Sequence, residues 1–199
     1  MKGVFAMKSF WLCSTFFIAS LVTAQNFDIN LLKSINNNRN KSLDPTFQFI
    51  SNSVSPLTVG VPIGFVIHAF IRKDSLSKRQ AFQMVGTQLI SLVLTTSLKY
   101  GVNRERPGVT YSFIEVKSPA GDPSFPSGHT SASFALATSI SMVCPKWYVI
   151  VPAYAWATSV AYSRMDLGCH YPTDVLAGAI IGSGSAYLNR KLNKILFKK

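Results

Sequence analysis

Three short groups of polar residues carry the chemistry this chain could do. They are Lys99 with Arg106-Pro107, then Pro126-Ser127-Gly128-His129, then Ser163-Arg164 with His170 and Asp174. Each stands at the end of a long apolar segment. Positive charge gathered around two imidazoles suits a phosphate dianion, and the planar fork of arginine matches phosphate oxygens in pairs. A histidine with a carboxylate four residues on suits a nucleophile whose ring is oriented and charge-stabilised.

Local sequence suggests how each group is held. Lys99 and Arg106 are seven residues apart, about two helical turns, so both would point the same way if the helix runs on. Pro107 disfavours helix at Arg106 and marks the expected stop. Ser127 is a good N-cap, and Gly128 lets a ligand come close to the backbone. The helix it opens presents unpaired N–H groups and a partial positive charge. His129 in its first turn could protonate a leaving alkoxide. Pro172 fits the first turn of a helix, which puts Asp174 in that turn, able to reach back to His170 and fix its tautomer. Arg164 would neutralise phosphate oxygens as charge is redistributed. Each group also has a plain reading: cations snorkelling at helix ends, a capping serine beside an interfacial histidine, an aspartate that only caps its helix. Among the other polar residues, His68 reads as structural, Arg104 and Glu105 as paired with neighbours or solvent, and Asp122 and Asp166 as solvated in exported loops close to the motifs, with a substrate role as the alternative.

The elements that must position these residues are apolar helices. The chain of 199 residues is 48% hydrophobic and only 14% charged, against roughly 25% charged for a soluble protein. Five spans are expected, at about Phe47–Ile71 (interrupted by Pro56 and Pro62), Ala81–Leu98, His129–Cys144, Trp147–Tyr162 and Thr173–Leu188. Some are short against the roughly 20 residues that cross a hydrocarbon core, so the helices should extend into the flanking motifs. Serine, threonine and glycine within them, Gly178 and Gly182 in particular, allow close helix approach. The alternative is a soluble all-helical protein with buried helices.

Residues 1–24 resemble a secretory signal, with Lys2 and Lys8 before an apolar run and small residues at Val22-Thr23-Ala24; the other reading is a retained anchor helix. Residues 25–45 form a polar exported segment, either a short amphipathic helix on the membrane through Ile29, Leu31, Leu32 and Ile35 or a mobile stretch. Residues 46–199 form the membrane domain. The net charge of +12 does not point to nucleic acid, since no basic block is interleaved with aromatics. The cations gather at 72–79, at Lys146 and in the C-terminal tail, which places those parts in the cytoplasm. All three motifs and seven of the eight acidic residues then face the exported side. The leader, short loops and small size point to a bacterium, its inner membrane and a periplasmic site. The three cysteines fit neither a disulfide framework nor a metal site.

The order and spacing of Lys99-x6-Arg106-Pro107, Pro126-Ser127-Gly128-His129 and Ser163-Arg164-x5-His170-x3-Asp174 resemble the three signature motifs of the type 2 phosphatidic acid phosphatase superfamily, over about residues 45–190. The resemblance implies an all-helical core of six helices, transmembrane in the lipid phosphatases. It implies that Lys99, Arg106 and Arg164 bind phosphate with help from Ser127 and Gly128, that His170 attacks and becomes a phosphohistidine supported by Asp174, and that His129 protonates the leaving group. It implies no metal and no cofactor. Expected partners are the bilayer and a lipid phosphate: phosphatidic acid, phosphatidylglycerol phosphate, polyprenyl diphosphate or lipid A. A soluble exported acid phosphatase, a vanadate-dependent haloperoxidase and a non-catalytic lipid-phosphate binder or transporter are the alternatives.

Overall fold

The computed structural model describes residues 26–197; the expected leader lies outside the described residues. All regular structure among them is helical. Residues 26–37 form α1. A single 3₁₀ turn, Lys41–Leu43, leads to α2 (Asp44–Asn52), and there follow α3 (Val54–Arg72), α4 (Ser75–Val102), the short α5 (Pro107–Thr110), α6 (Gly128–Val143), α7 (Trp147–Asp166) and α8 (Pro172–Leu196).

Helix boundaries follow local chemistry. Asp74 caps α4 by accepting the Ser77 N–H at 2.8 Å. Asn103 closes α4 in the left-handed region at φ 50°, a conformation asparagine tolerates better than most residues. Pro172 opens α8, where its missing N–H costs no hydrogen bond. The prolines of the first span do not interrupt it as expected. The break falls at Ser53, between α2 and α3; Pro56 lies in the first turn of α3, and α3 continues through the buried Pro62. As the sequence suggested, α4 runs through Lys99 and α7 through Ser163-Arg164, into the motifs that flank them.

The central helix is α6, which packs against α3, α4, α7 and α8. Its contact with α8 is the tightest because two glycines leave room for backbone. A Cβ on Gly182 would lie 2.1 Å from the Ser131 carbonyl oxygen, and one on Gly178 would lie 2.7 Å from that of Ser127. Polar side chains fill the interior. Ser131 Oγ sits 2.6 Å from Ser91 Oγ and 2.7 Å from Thr95 Oγ1, Gln83 donates to the Ala186 carbonyl, and Asn189 donates to that of Gln83.

The outside is apolar: Phe49 and Phe70 are each 76% exposed, and Ile63, Ile67, Leu92, Val93, Leu176 and Ile180 also face outward. Small polar residues inside and large apolar ones outside suit a bundle whose solvent is hydrocarbon. Among the described residues, two stretches, Lys41–Arg72 and Ser75–Thr110, are long and apolar enough to cross a membrane, against the five spans expected.

The N-terminal segment does not use the face expected of it. α1 buries Asp28, Leu32 and Asn36, one stripe at four-residue spacing, while Leu31 stays exposed. Leu32 packs with Ile114 and Tyr171. Asn36 donates to the carbonyls of Glu115 and Asp166 and accepts the Glu115 N–H. α1 is thus fastened to the loops that carry the motifs.

Candidate active site

The three motifs meet at one end of the bundle. The Ser127 N–H donates to the Asp174 carbonyl at 3.0 Å, which joins the start of α6 to the first turn of α8. The Arg164 carbonyl, at the end of α7, accepts from the Cys169 and His170 N–H groups. His170 therefore hangs between α7 and α8, 1% exposed.

Around His170 the geometry is that of an oriented imidazole. Nδ1 lies 3.6 Å from Asp174 Oδ2, and Nε2 lies 3.4 Å from Arg106 Nη1. With the proton on Nδ1 facing the carboxylate, the lone pair of Nε2 points toward the cations. Asp174 Oδ2 also accepts from the Tyr171 N–H at 3.0 Å and from Ser124 Oγ at 2.5 Å. Asp174 both caps α8 and faces the ring, so its two readings coexist. Burial, with the Arg106 and Arg164 guanidiniums nearby, outweighs Asp174 and holds the His170 imidazole down to about 4. At neutral pH the ring is uncharged and able to attack.

The cations converge by a route the sequence did not show. α4 stops at Val102, so Arg106 is not on the helix of Lys99. The Asp122 carboxylate joins them instead, with Oδ2 2.8 Å from Lys99 Nζ and Oδ1 2.6 Å from Arg106 Nη2. Lys99 also donates to the Pro123 carbonyl. Asp122 was expected to be solvated. It is a ligand of both cations, which overcome its partial burial and hold its carboxyl down to about 2. Arg164 is 3% exposed; its Nη1 donates to Ser51 Oγ at 2.6 Å, while its Nε has no partner among the described residues. A buried guanidinium with an unused donor favours an anion.

The second motif is placed at the start of α6. Ser127 is the N-cap residue, but its side chain bonds no helix N–H; its hydroxyl accepts from Thr130 Oγ1. Gly128 faces Lys99, whose Cε would lie 3.8 Å from a Cβ built there. His129 is partly buried in the first turn, within electrostatic reach of His170, Arg106 and Arg164.

One further expectation fails on burial. Asp166 is the last residue of α7, 2% exposed rather than solvated, and its Oδ2 has no partner among the described residues. Of the two courses open to Arg104, pairing or solvent, the structure shows pairing: it holds Asp174 Oδ1 at 2.7 Å and Asp28 Oδ2 at 2.7 Å. The one sequence signal for this was the position of Arg104 two residues before Arg106.

Beside the site, a cavity of about 290 Å³ runs between α3, α4 and α6. It extends from Gly128 and Thr95 along Leu92 to Gln88, with Val59 of α3 on its other wall.

A helical bundle that gathers three cations and two histidines at adjoining helix ends, one histidine backed by a buried aspartate, defines a class of phosphate-transfer proteins. The chain belongs to the PAP2 superfamily, whose family model matches residues 80–194, more than half of its length. It is 29% identical over 167 residues to an undecaprenyl-diphosphatase of Sulfolobus acidocaldarius, covering 82% of this chain and 77% of that protein. It is 32% identical over 123 residues to a lipid A 1-phosphatase of Rhizobium etli, covering 55% of this chain and 52% of that one. Among solved structures, LpxE of Aquifex aeolicus superposes with a TM-score of 0.72 at 28% identity, covering 83% of this chain and 95% of that one. A phosphatidylglycerolphosphate phosphatase of Bacillus subtilis shares the fold, with a TM-score of 0.70 at 23% identity over 88% of this chain and 89% of that one.

Proposed function

We propose that this protein is an integral membrane lipid phosphate phosphatase of five or six spans, with its site on the exported face, that works through a phosphohistidine and without metal. The observation that carries the reading is the placement of His170, with Nε2 3.4 Å from Arg106 and Nδ1 3.6 Å from the buried Asp174 carboxylate.

The substrate phosphate takes the place of the Asp122 carboxylate between Lys99 and Arg106, with Arg164 at its side. Nε2 of His170 attacks phosphorus, and the bond to the leaving oxygen breaks as His129, which takes up a proton once the bound phosphate offsets the cations around it, gives that proton to the leaving oxygen. Asp174 stabilises the positive charge that the ring acquires. Water, deprotonated by His129, then hydrolyses the phosphohistidine. The fixed cations offset the charge on the phosphoryl oxygens in the way a metal ion does at other sites. The lateral cavity leads from Gly128 toward the apolar exterior, and the substrate's hydrocarbon chain would lie there.

Apolar exterior and polar interior together support a bilayer location, and the charge asymmetry of the loops supports an exported site. Lipids remain the substrate class. Polyprenyl diphosphate and lipid A stand first among the four candidates, because relatives that match this chain are named for acting on them.

The test is phosphate release by the purified protein from all four lipid classes, beside His170→Ala. Release from at least one class, lost in the variant while the protein stays folded and retains phosphate binding, is the expected result. Turnover by His170→Ala would remove the nucleophile. A protein that binds lipid phosphate but releases none from any class would instead be a binder or transporter.

A further inference from the structure

Arg104 and Asp28 have no part in the chemistry described above, yet they hold the residue that orients the nucleophile. Nη1 of Arg104 donates to Asp174 Oδ1 at 2.7 Å and to Thr173 Oγ1 at 2.8 Å. Nη2 donates to Asp28 Oδ2 at 2.7 Å, and the guanidinium plane lies over the Tyr171 ring, 3.8 Å from its centroid. Asp28, on α1 and 1% exposed, also accepts from the Thr173 N–H at 2.9 Å and from Thr173 Oγ1 at 2.5 Å. One arginine thus bridges two buried carboxylates with its rigid fork, a geometry lysine cannot reproduce.

The division of labour at Asp174 follows from its two oxygens. Oδ2 faces Nδ1 of His170 and takes the Tyr171 and Ser124 donors. Oδ1 is taken by Arg104. Asp174 is fully buried, so without Arg104 the charge on Oδ1 would have no partner, and rotation about the Cβ–Cγ bond would no longer be opposed. Arg104 bonds Oδ1, the Asp174 oxygen that does not face His170, and both its terminal nitrogens are occupied. It is not placed to touch phosphate. Asp28 offsets the charge of Arg104, so that Asp174 is held without its field at His170 being cancelled.

We propose that Arg104 and Asp28 are positioning residues for the nucleophilic step, acting through Asp174, and that α1 is for this reason a working part of the active site. Asp28 lies outside residues 80–194, the region the family model matches. The proposal rests on the reading of His170 as nucleophile.

The experiment compares wild type, Arg104→Ala, Arg104→Lys, Asp28→Asn and His170→Ala as purified full-length proteins, on whichever of the four lipid classes the wild type hydrolyses. It measures kcat, KM, the single-turnover rate of phosphohistidine formation and thermal unfolding. Arg104→Ala and the isosteric Asp28→Asn should lower kcat and the phosphorylation rate by the roughly 10- to 100-fold that the orienting partner of a functional histidine is worth, with KM within about threefold. Guanidinium ion added at tens of millimolar, an approximate range set well below denaturing concentrations, should restore part of the Arg104→Ala rate and none of the His170→Ala rate. Arg104→Lys should stay slow. The proposal is overturned if folded Asp28→Asn and Arg104→Ala, or folded Asp28→Asn alone where the arginine variant does not fold, turn over at the wild-type rate. It is overturned equally if the loss falls in KM alone, since Arg104 would then be a substrate ligand, or if both variants fail only by unfolding. Activity in His170→Ala would sink the underlying reading instead, and the two failures are distinct.

Discussion

Asp122→Asn tests how the anion cradle is kept before substrate arrives. The Asp122 carboxylate spans Lys99 and Arg106 at 2.8 and 2.6 Å, the place proposed for the substrate phosphate. Phosphate binding therefore has to break two ion pairs already made. The Asp122 side chain is 43% exposed, so each pair is screened and contributes about 0.2–1 kcal/mol rather than what the gas-phase attraction would suggest. Two such pairs give about 0.4–2 kcal/mol, equivalent to roughly 2- to 30-fold in an equilibrium constant. Asparagine keeps the shape and removes the charge. The assay is inhibition of lipid hydrolysis by inorganic phosphate and by vanadate, on wild type and variant at one pH and one salt concentration. Both inhibition constants should fall by that factor in Asp122→Asn, and the gap should narrow as salt rises. Unchanged or weaker inhibition in a variant that unfolds at the wild-type temperature would refute the reasoning, and Asp122 would then be helping to shape the cradle rather than competing for it.

Chelation should leave the rate untouched: EDTA treatment followed by assay is expected to show full activity, and a loss reversed by Mg²⁺ would contradict the metal-free mechanism. Gly182→Ala should force α6 and α8 apart, because the new Cβ would meet the Ser131 carbonyl oxygen at 2.1 Å; a loss of about 1–3 kcal/mol in unfolding measurements is expected, whereas Gly184→Ala, with nothing within 4 Å, should be tolerated. Acid should weaken the native state in two stages. His170 is held at about 4 in the fold, below its value of 6.5 when unfolded, so the unfolded chain binds the extra proton and stability falls as pH drops from 6.5 to 4. The carboxyls of Glu115 and Asp122, both held at about 2, lose their contribution as pH falls further toward 2. A thermal unfolding midpoint that stayed flat from neutral pH down to 4 would refute the first stage.

Much of the frame was legible in the chain. Apolar runs bounded by charged or capping residues placed four of the five expected helices, while the first run is divided into α2 and α3 and α8 runs eight residues past the expected Leu188; hydrophobic length and helix-stopping residues are local properties. Pro172 marked the first residue of α8, and the pairing of His170 with Asp174 followed from their spacing across that start. Gly178 and Gly182, one turn apart, marked the face that α6 approaches. The errors came from contacts between segments distant in sequence. Asp122 and Asp166 are charged loop or helix-end residues, and charge alone predicts solvent. Asp122 meets Arg106 16 positions away, and Arg104 meets Asp174 and Asp28 70 and 76 positions away, so no local pattern could foretell which groups these residues meet. α1 misled for the same reason: its apolar positions suggested a membrane face, while its buried stripe carries Asp28 and Asn36, polar residues whose partners are loops from elsewhere in the fold.

By itself the sequence determined most of the helices and the residue types available for phosphate chemistry. Those depend on the free energy of placing each residue in water or hydrocarbon and on backbone preferences a few residues long. Only the tertiary structure decided that Lys99 and Arg106 meet through Asp122, that Asp174 divides its oxygens between His170 and Arg104, and that α1 is fastened to Arg104 and Thr173 through Asp28. Convergence of that kind depends on which helix faces pack together, and a hydrogen bond is decided by tenths of an ångström that spacing along a chain does not specify.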